Sequence, residues 1–87
     1  MVYLEQAGDS ERSSTFSRQL GLRLCALRVE RKLSQERIAH RAGISVYTYQ
    51  KFEKGESKPG TPMNPQLHTL LALADAFDIT IEELLTL

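Results

Sequence analysis

Cysteine and histidine, the residues behind most disulfides and many metal sites, are scarce in this sequence. One of the 87 residues is a cysteine and two are histidines. A single cysteine excludes an internal disulfide and a cysteine-cluster metal site, and His40 and His68 lie far apart without ligand-spaced partners. Gly-rich phosphate loops and nucleophile signatures are absent as well. We therefore expect no catalytic residue, no metal, no cofactor and no small-molecule ligand, and we expect that the protein is not an enzyme.

Long apolar runs are also missing. No stretch approaches the roughly 18 consecutive apolar residues of a membrane span. The opening MVYLEQAGD lacks the basic segment and the apolar core of a signal peptide. We expect neither membrane insertion nor export. A chain of 87 residues is long enough for one domain with a modest hydrophobic core.

The charges balance overall but are unevenly distributed. Eleven basic and eleven acidic residues give a formal net charge of zero. All eleven basic residues lie between Arg12 and Lys58, where four acidic residues leave a net charge of +7, and segments 1–11 and 59–87 carry −3 and −4. A basic block with acidic flanks is typical of a protein that directs one face at a polyanion. Charges scattered over solvated helix surfaces produce such segregation less often.

The chain begins with a polar segment, residues 1–13, that has no hydrophobic period and is predicted to be a flexible arm. Residues 14–87 are predicted to form a single domain. The first helix of that domain is expected to start at Thr15 and to extend to about Lys32, because apolar residues recur there at spacings of four and three. These residues are Phe16, Leu20, Leu24 and Leu27.

Two short helices follow, and each has a serine before it and a glycine after it. Ser34 is suited to cap the N-terminus of a helix over residues 35–42, and Gly43 is suited to end it in the left-handed conformation. Ser45 and Gly55 repeat the arrangement around the next segment. Two short helices that meet at a glycine turn are typical of a helix-turn-helix, whose second helix can lie in a DNA major groove. An αα-corner of this kind also occurs as plain structure.

The segment ISVYTYQKF, residues 44–52, is rich in β-branched and aromatic residues, which are enriched in strands. As a strand, however, neither of its faces would be consistently apolar. As a helix at about 100° per residue, it places Tyr49 and Phe52 together on one side. An arc of roughly 140° on the opposite side holds Val46, Tyr47, Gln50, Lys51 and Lys54. Caps and periodicity therefore predict a helix.

The rest of the chain is predicted to hold a loop and two more helices. ESKPGTPMN, residues 56–64, contains two of the three prolines and is predicted to be a loop. Pro65 suits the first position of the fourth helix, with Asn64 as its cap. A capping box of Thr80 and Glu83 is expected to begin the fifth helix. The sequence thus predicts five helices and no strands.

These features occur in an order that resembles the Cro/repressor-like (XRE, Cro/C1-type) family of helix-turn-helix transcriptional regulators. The matching strings are LRxxRKLSQERIAHRAGIS (27–45), FEKG (52–55), Pro59, LxxLLALA (67–74) and ITIEELL (79–85). The resemblance extends over residues 20–85. It implies an all-α, compact, five-helix domain of the lambda-repressor-like type that binds DNA.

The resemblance also implies roles for individual residues. Base contacts fall on four positions of the third helix, Val46, Tyr47, Gln50 and Lys51. Phosphate contacts fall at the start of the second helix and just after the third, on Ser34, Gln35, Lys54, Ser57 and Lys58. Arg28 and Glu53 match positions that form a partly buried ion pair between the first and third helices. Glu56 and an insertion at 60–64 depart from the family pattern. For Tyr47 an alternative stays open, which is simple surface exposure or partial packing.

Double-stranded DNA is the partner that the resemblance implies, bound by a homodimer on a palindromic operator with the recognition helix, residues 45–54, in the major groove. The 56–64 loop and the C-terminal helix are the expected dimer contacts. The family further implies a cytoplasmic, nucleoid-associated protein of a bacterium or a phage. Two alternatives stay open. One is an antitoxin-type module that binds a partner protein and regulates its own transcription, and the other is a restriction–modification controller.

Overall fold

The computed structural model describes the backbone of residues 2–87 and the side chains of residues 12–87. Over this range the chain forms five α-helices and one two-stranded hairpin. In chain order these are α1 (Val2–Glu30), α2 (Gln35–Ala42), α3 (Val46–Lys54), β1 (Glu56–Lys58), β2 (Thr61–Pro62), α4 (Leu67–Ala76) and α5 (Ile81–Leu84). The predicted all-α, five-helix architecture is confirmed, whereas the prediction of no strands is wrong.

The first helix is longer than its apolar period predicts. The period begins near Thr15, but α1 begins at Val2. Met1 and the side chains of residues 2–11 lie outside the described part of the structure. The predicted division into a flexible arm, residues 1–13, and a domain, residues 14–87, therefore stays a prediction.

The helix caps are those that the sequence predicts. The hydroxyls of Ser34 and Ser45 each accept a hydrogen bond from the backbone N–H three residues later, both at 3.0 Å. Gly43 and Gly55 end α2 and α3 with φ angles of 73° and 80°. Both angles lie in the left-handed region that favours glycine. The capping box at Thr80 is present as well.

β1 and β2 form an antiparallel hairpin inside the segment that the sequence predicts as a loop. Gly60 lies in the turn with a φ of 81°, and its N–H donates to the Glu56 carboxylate over 2.8 Å. Directly after β2, the Met63 N–H donates to the Gly55 carbonyl over 2.9 Å. The Met63 carbonyl in turn accepts a hydrogen bond from the buried hydroxyl of Ser17 on α1. The hairpin is therefore attached both to the end of α3 and to α1.

α4 starts two residues later than predicted. It begins at Leu67 with Gln66 at the N-cap position and has no side-chain cap hydrogen bond, so the predicted start at Pro65 with Asn64 as the cap is wrong. The chain is still extended at Gln66, with φ −77° and ψ 153°. Met63, three residues earlier, is held in place by the two hydrogen bonds that anchor the hairpin, and the helix begins only after this fixed point.

All five helices contribute to one hydrophobic core. Its largest fully buried side chains are Tyr49, Phe77, Leu20, Leu24, Ile38, Leu73 and Leu84. Gly21 allows α1 and α3 to approach each other closely, because a Cβ at this position would lie 2.4 Å from the Glu53 carbonyl oxygen and 2.7 Å from that of Phe52. α3 is therefore held tightly against α1, and its other side faces outward. Within residues 2–87, no helix has the length and apolarity needed to cross a membrane.

Candidate nucleic-acid interface

α3 divides into an inner and an outer side, as its helical period predicts. Tyr49 and Phe52 on the inner side are 0% and 3% exposed. On the outer side Tyr47 is 65% exposed, and Gln50 is exposed as well. Val46 is half-buried and packs against the edge of the core. Its side chain is therefore only partly available to a ligand.

Tyr47 and Lys51 form a pair on the outer side of α3. The Lys51 Nζ lies 4.4 Å from the centroid of the Tyr47 ring. A cation held over an aromatic face is attracted by the ring quadrupole, and at an exposed site the contact contributes about 0.5–1 kcal/mol. The Tyr47 ring thus favours the Lys51 conformation that places the ammonium over its face. This contact also explains why Lys51 is half-buried although it is on the outward side.

The Arg28 guanidinium and the Glu53 carboxylate join α1 to α3. Arg28 Nε donates to Glu53 Oε2 over 2.6 Å, and Arg28 Nη2 donates to Glu53 Oε1 over 3.2 Å. Arg28 Nη1 also donates to the Leu33 carbonyl over 3.1 Å. The two side chains are 17% and 9% exposed. This two-pronged geometry is the strong form of an ion pair, and it fixes the inner edge of α3 to α1.

The ion pair controls the protonation of its members. Burial alone would raise the pKa of Glu53, but the hydrogen bonds from Arg28 and Gln35 outweigh it and hold that pKa below the ordinary value of 4.5. The hydrogen bond to Glu53 raises the pKa of Arg28. Burial raises the pKa of Tyr49, whose buried hydroxyl faces the same carboxylate without a hydrogen bond of ordinary geometry. At neutral pH Glu53 is therefore a carboxylate and Tyr49 a neutral phenol.

Gln35 extends this pair to the outer side of α3, a connection that sequence reasoning missed. Gln35 Nε2 donates to Glu53 Oε1 over 3.0 Å. Gln35 Oε1 accepts from Gln50 Nε2 over 3.2 Å. A continuous series of side-chain hydrogen bonds thus leads from Arg28 on α1, through Glu53 and Gln35, to Gln50. The only signal in the sequence is that amide and acid side chains occur on two adjacent helices.

The candidate phosphate-contact residues lie in three places. Lys54, Ser57 and Lys58 line one surface depression together with Tyr47 and Lys51, so the basic end of α3 and strand β1 form a common surface. Gln35 borders a neighbouring depression with Gln50, Glu53 and Lys54. Ser34 lies in neither depression and is instead next to Lys32 and Arg37. Its hydroxyl already accepts the helix-capping hydrogen bond from the Arg37 N–H.

Two arginines that the sequence reasoning did not single out border these residues. Arg37 lies beside Ser34 at the start of α2. Arg18 on α1 lines a depression with Lys54 and Glu56. Their membership of the basic block was the only available signal, because charge distribution in a sequence does not reveal which surface a side chain reaches. Among the described residues, no group of three or more His, Cys, Asp and Glu is arranged to hold a metal ion.

Comparison with known families agrees with this arrangement. Residues 26–84 match the family model described as Helix-turn-helix. The chain belongs to this helix-turn-helix family. The match includes α2, the glycine turn and α3, and continues to α5. The resemblance to the Cro/repressor-like (XRE) helix-turn-helix regulators, on which the residue roles above depend, is confirmed.

Two relatives of this helix-turn-helix protein have informative names. The cryptic phage CTXphi transcriptional repressor RstR of Vibrio cholerae is 38% identical over 60 residues, which are 69% of this chain and 49% of the repressor. The chain thus spans about half the length of this curated relative. The crystal structure of the restriction-modification controller protein C.AhdI from Aeromonas hydrophila has a TM-score of 0.67 and 34% identity, and the match covers 77% of this chain and 92% of that chain.

Proposed function

We propose that this helix-turn-helix protein binds double-stranded DNA sequence-specifically and regulates transcription, with the recognition helix, residues 45–54, in the major groove. The observation that carries the proposal is the two-sided character of α3. Its inner side is packed into the core, and its outer side presents Tyr47, Gln50 and Lys51 beside the basic end of the helix. A B-DNA major groove about 12 Å wide admits one such helix.

Base contacts are assigned to the outer side of α3. Gln50 has an amide that can pair with adenine, and Lys51 can donate to the O6 and N7 acceptors of guanine. Val46 offers its exposed part to a thymine methyl group. Tyr47 contacts sugar or phosphate and holds the Lys51 ammonium in place, as the 4.4 Å distance from Nζ to the ring centroid supports.

Phosphate contacts flank these residues and position the helix without reading sequence. Ser34 and Gln35 lie at the N-terminus of α2, whose free N–H groups and positive dipole end favour an anion. Lys54, Ser57 and Lys58 approach the backbone from the end of α3 and from β1. The net charge of +7 between Arg12 and Lys58 supports binding to a polyanion.

The protein acts as a homodimer on a palindromic operator, because one module of this size buries little DNA surface and a two-fold pair doubles it. The two copies of α3 then lie about 34 Å apart, one turn of DNA. In α5, Leu84 is fully buried. From α4 onward, the large apolar side chains exposed to a partner are Leu67, Leu71 and Leu87, which are 68%, 43% and 44% exposed. The 56–64 segment, which contains the hairpin, is the second expected contact.

The remaining parts of the proposal follow from the family. The protein carries no enzymatic activity, needs no cofactor and binds no small-molecule ligand. It acts in the cytoplasm of a bacterium or in a phage-infected cell, associated with the nucleoid.

Selection of bound sequences from random duplex DNA, followed by affinity measurements over a range of salt concentrations, tests the proposal. Lys58→Gln is expected to weaken binding evenly across sequences and to reduce the slope of log affinity against log salt by about 1. Arg23→Gln removes the same charge from the side of α1 that faces α5, where Arg23 donates to the Glu83 carbonyl. This matched control is expected to leave the slope nearly unchanged. A steep salt slope without any enriched sequence would reduce the function to non-specific charge binding.

A restriction–modification controller is the second candidate, and the similarity to C.AhdI favours it. It differs from the first in what is regulated and not in how DNA is bound. A methylase and an endonuclease encoded beside this chain, with the selected operator upstream of them, would support this second candidate. An operator remote from any such pair would exclude it.

A further inference from the structure

Gln35 links the Arg28–Glu53 ion pair to Gln50 by hydrogen bonds that run in one direction. Glu53 Oε1 accepts from Gln35 Nε2 at 3.0 Å, and Gln35 Oε1 accepts from Gln50 Nε2 at 3.2 Å. Glu53 is half-buried and its carboxylate also receives two N–H groups from Arg28. The series starts at the Arg28 guanidinium on α1 and ends at the exposed Gln50 amide on the outer side of α3.

The direction of these bonds follows from what each group can do. An ionised carboxylate only accepts hydrogen bonds, so the end of the Gln35 side chain that faces Glu53 must be its NH₂ group. The Gln35 carbonyl oxygen then faces away from Glu53 and can only accept. The end of the Gln50 side chain that meets it must therefore be the Gln50 NH₂ group. The side-chain amide of an isolated glutamine can rotate by about 180° and exchange its donor and acceptor. The amide of Gln50 is instead held in a single orientation by Gln35.

We propose that Gln35 is a positioning residue for base specificity, which fixes the Gln50 amide so that its carbonyl oxygen and one remaining N–H are presented to DNA. This inference rests on the proposed function. A side chain that offers an acceptor beside a donor matches the major-groove edge of adenine, which offers the N6 amino group beside the N7 acceptor. It mismatches guanine, whose O6 and N7 both accept. Gln50 therefore selects adenine over guanine.

A positioning role for Gln35 and a phosphate contact by Gln35 predict different effects on DNA binding when the residue is replaced. Loss of a phosphate contact weakens binding to all sequences alike. Loss of the positioning role releases the Gln50 amide, which can then turn over and donate to guanine as well. The change appears at one base position only, the position at which Gln50→Ala abolishes the preference.

The experiment is selection from random duplex DNA with the full chain and four variants. The wild type is expected to prefer adenine over guanine at the Gln50 position by roughly tenfold. Gln35→Met, which keeps the length of the side chain but forms no such bonds, is expected to lower that ratio to about twofold, and Gln35→Ala to do the same. Gln19→Met, the same substitution at an exposed position of α1, is the control and leaves the ratio unchanged. Gln50→Ala defines the base position.

A measurement without DNA separates this inference from the proposed function. In ¹H–¹⁵N spectra of the free protein, one Gln50 side-chain amide proton is expected to exchange slowly with water, and this protection is lost in Gln35→Met. An unprotected Gln50 amide in the folded wild type overturns the inference. So does a wild-type preference for guanine, or an unchanged ratio in both Gln35 variants. A protected amide in a protein that enriches no sequence refutes both the specificity role and the proposed function, while the hydrogen-bond geometry stands.

Discussion

Replacing Arg28 by methionine removes the only described cation that pairs with Glu53 and leaves the rest of α1 unchanged. The methionine retains most of the aliphatic contact of the arginine side chain but cannot donate. Glu53 then keeps the hydrogen bond from Gln35 and loses two charged donors, at 2.6 and 3.2 Å. The carbonyl of Leu33 loses a donor as well. We expect α3 to lose its main polar attachment to α1.

The size of the effect depends on how buried the remaining carboxylate is. Breaking a buried ion pair by removing one partner costs about 3–5 kcal/mol, since an uncompensated charge is left, whereas an exposed pair contributes about 0–1 kcal/mol. The Glu53 side chain is 9% exposed and that of Arg28 is 17% exposed. Because the Glu53 side chain is largely buried but keeps one amide donor, we expect a loss of about 2–4 kcal/mol in the free energy of unfolding.

Urea denaturation followed by circular dichroism at pH 7 measures this loss, and the midpoint of thermal unfolding is expected to fall by roughly 10–20 °C. Arg31→Met, directly after the last residue of α1, is the control; the Arg31 guanidinium also lies 5.8 Å from the centroid of the Phe77 ring. Arg31 pairs with Glu30, which is 76% exposed, at 3.5 Å, and this exposed pair is expected to contribute less than about 1 kcal/mol. A loss for Arg28→Met no larger than for Arg31→Met, together with unchanged DNA affinity, would refute the role assigned to the pair.

Two further perturbations test the attachment of α3. Gly21→Ala is expected to destabilise the fold by about 1–3 kcal/mol, because its Cβ would lie 2.4 Å from the Glu53 carbonyl oxygen and backbone must move; wild-type stability in urea would show that α1 and α3 are not in close contact. The lowered pKa of Glu53 predicts a pH dependence. Its contribution to stability is complete above the ordinary value of 4.5 and is lost as the pH falls through the lower pKa of the folded state. Glu53→Gln should therefore flatten the acid side of the stability profile, and an unchanged profile would contradict the pairing.

The helix-turn-helix part of the fold could be predicted because its signals are local. Ser34 and Ser45 cap helices whose N–H groups lie three residues away, and Gly43 and Gly55 occupy backbone conformations that glycine favours. The same local pattern resolved the segment ISVYTYQKF as helix against its strand-like composition. Short-range caps and a single period of apolar residues were sufficient for this part of the chain.

The end of the hairpin and the start of α4 could not be predicted, because the contact that anchors both joins residues distant in sequence. Ser17 and Met63 are 46 residues apart, yet their hydrogen bond fixes where the hairpin ends. Pro59 and Pro62 indicated a turn correctly but gave no indication that the chain would pair with itself. The start of α1 could not be predicted for a different reason, the lack of a local signal. Its first residues have no apolar stripe, and a helix can continue without one when it extends an already packed helix.

In the candidate site, too, the local features could be predicted from the sequence and the contacts between helices could not. The period of α3 identifies its outward residues, since the faces of a helix follow from spacing alone. The link from Glu53 to Gln35 joins residues 18 positions apart, and that from Gln35 to Gln50 joins residues 15 apart. Such contacts depend on how α2 crosses α3. No spacing rule within a single helix contains that information.

Because two hydrogen bonds anchor the hairpin where it ends, its length can change without changing the packing of the rest of the domain. Met63 is held by the Gly55 carbonyl on one side and by Ser17 on the other, so α4 starts from a fixed point. Pro59 and Gly60 at the tip are exposed, and a Cβ on Gly60 would meet nothing within 4 Å. We expect extra residues added at this tip to be accommodated before Met63, with α3 and α4 kept in register. A longer tip is therefore expected to change the hairpin surface proposed for the dimer contact without displacing α3.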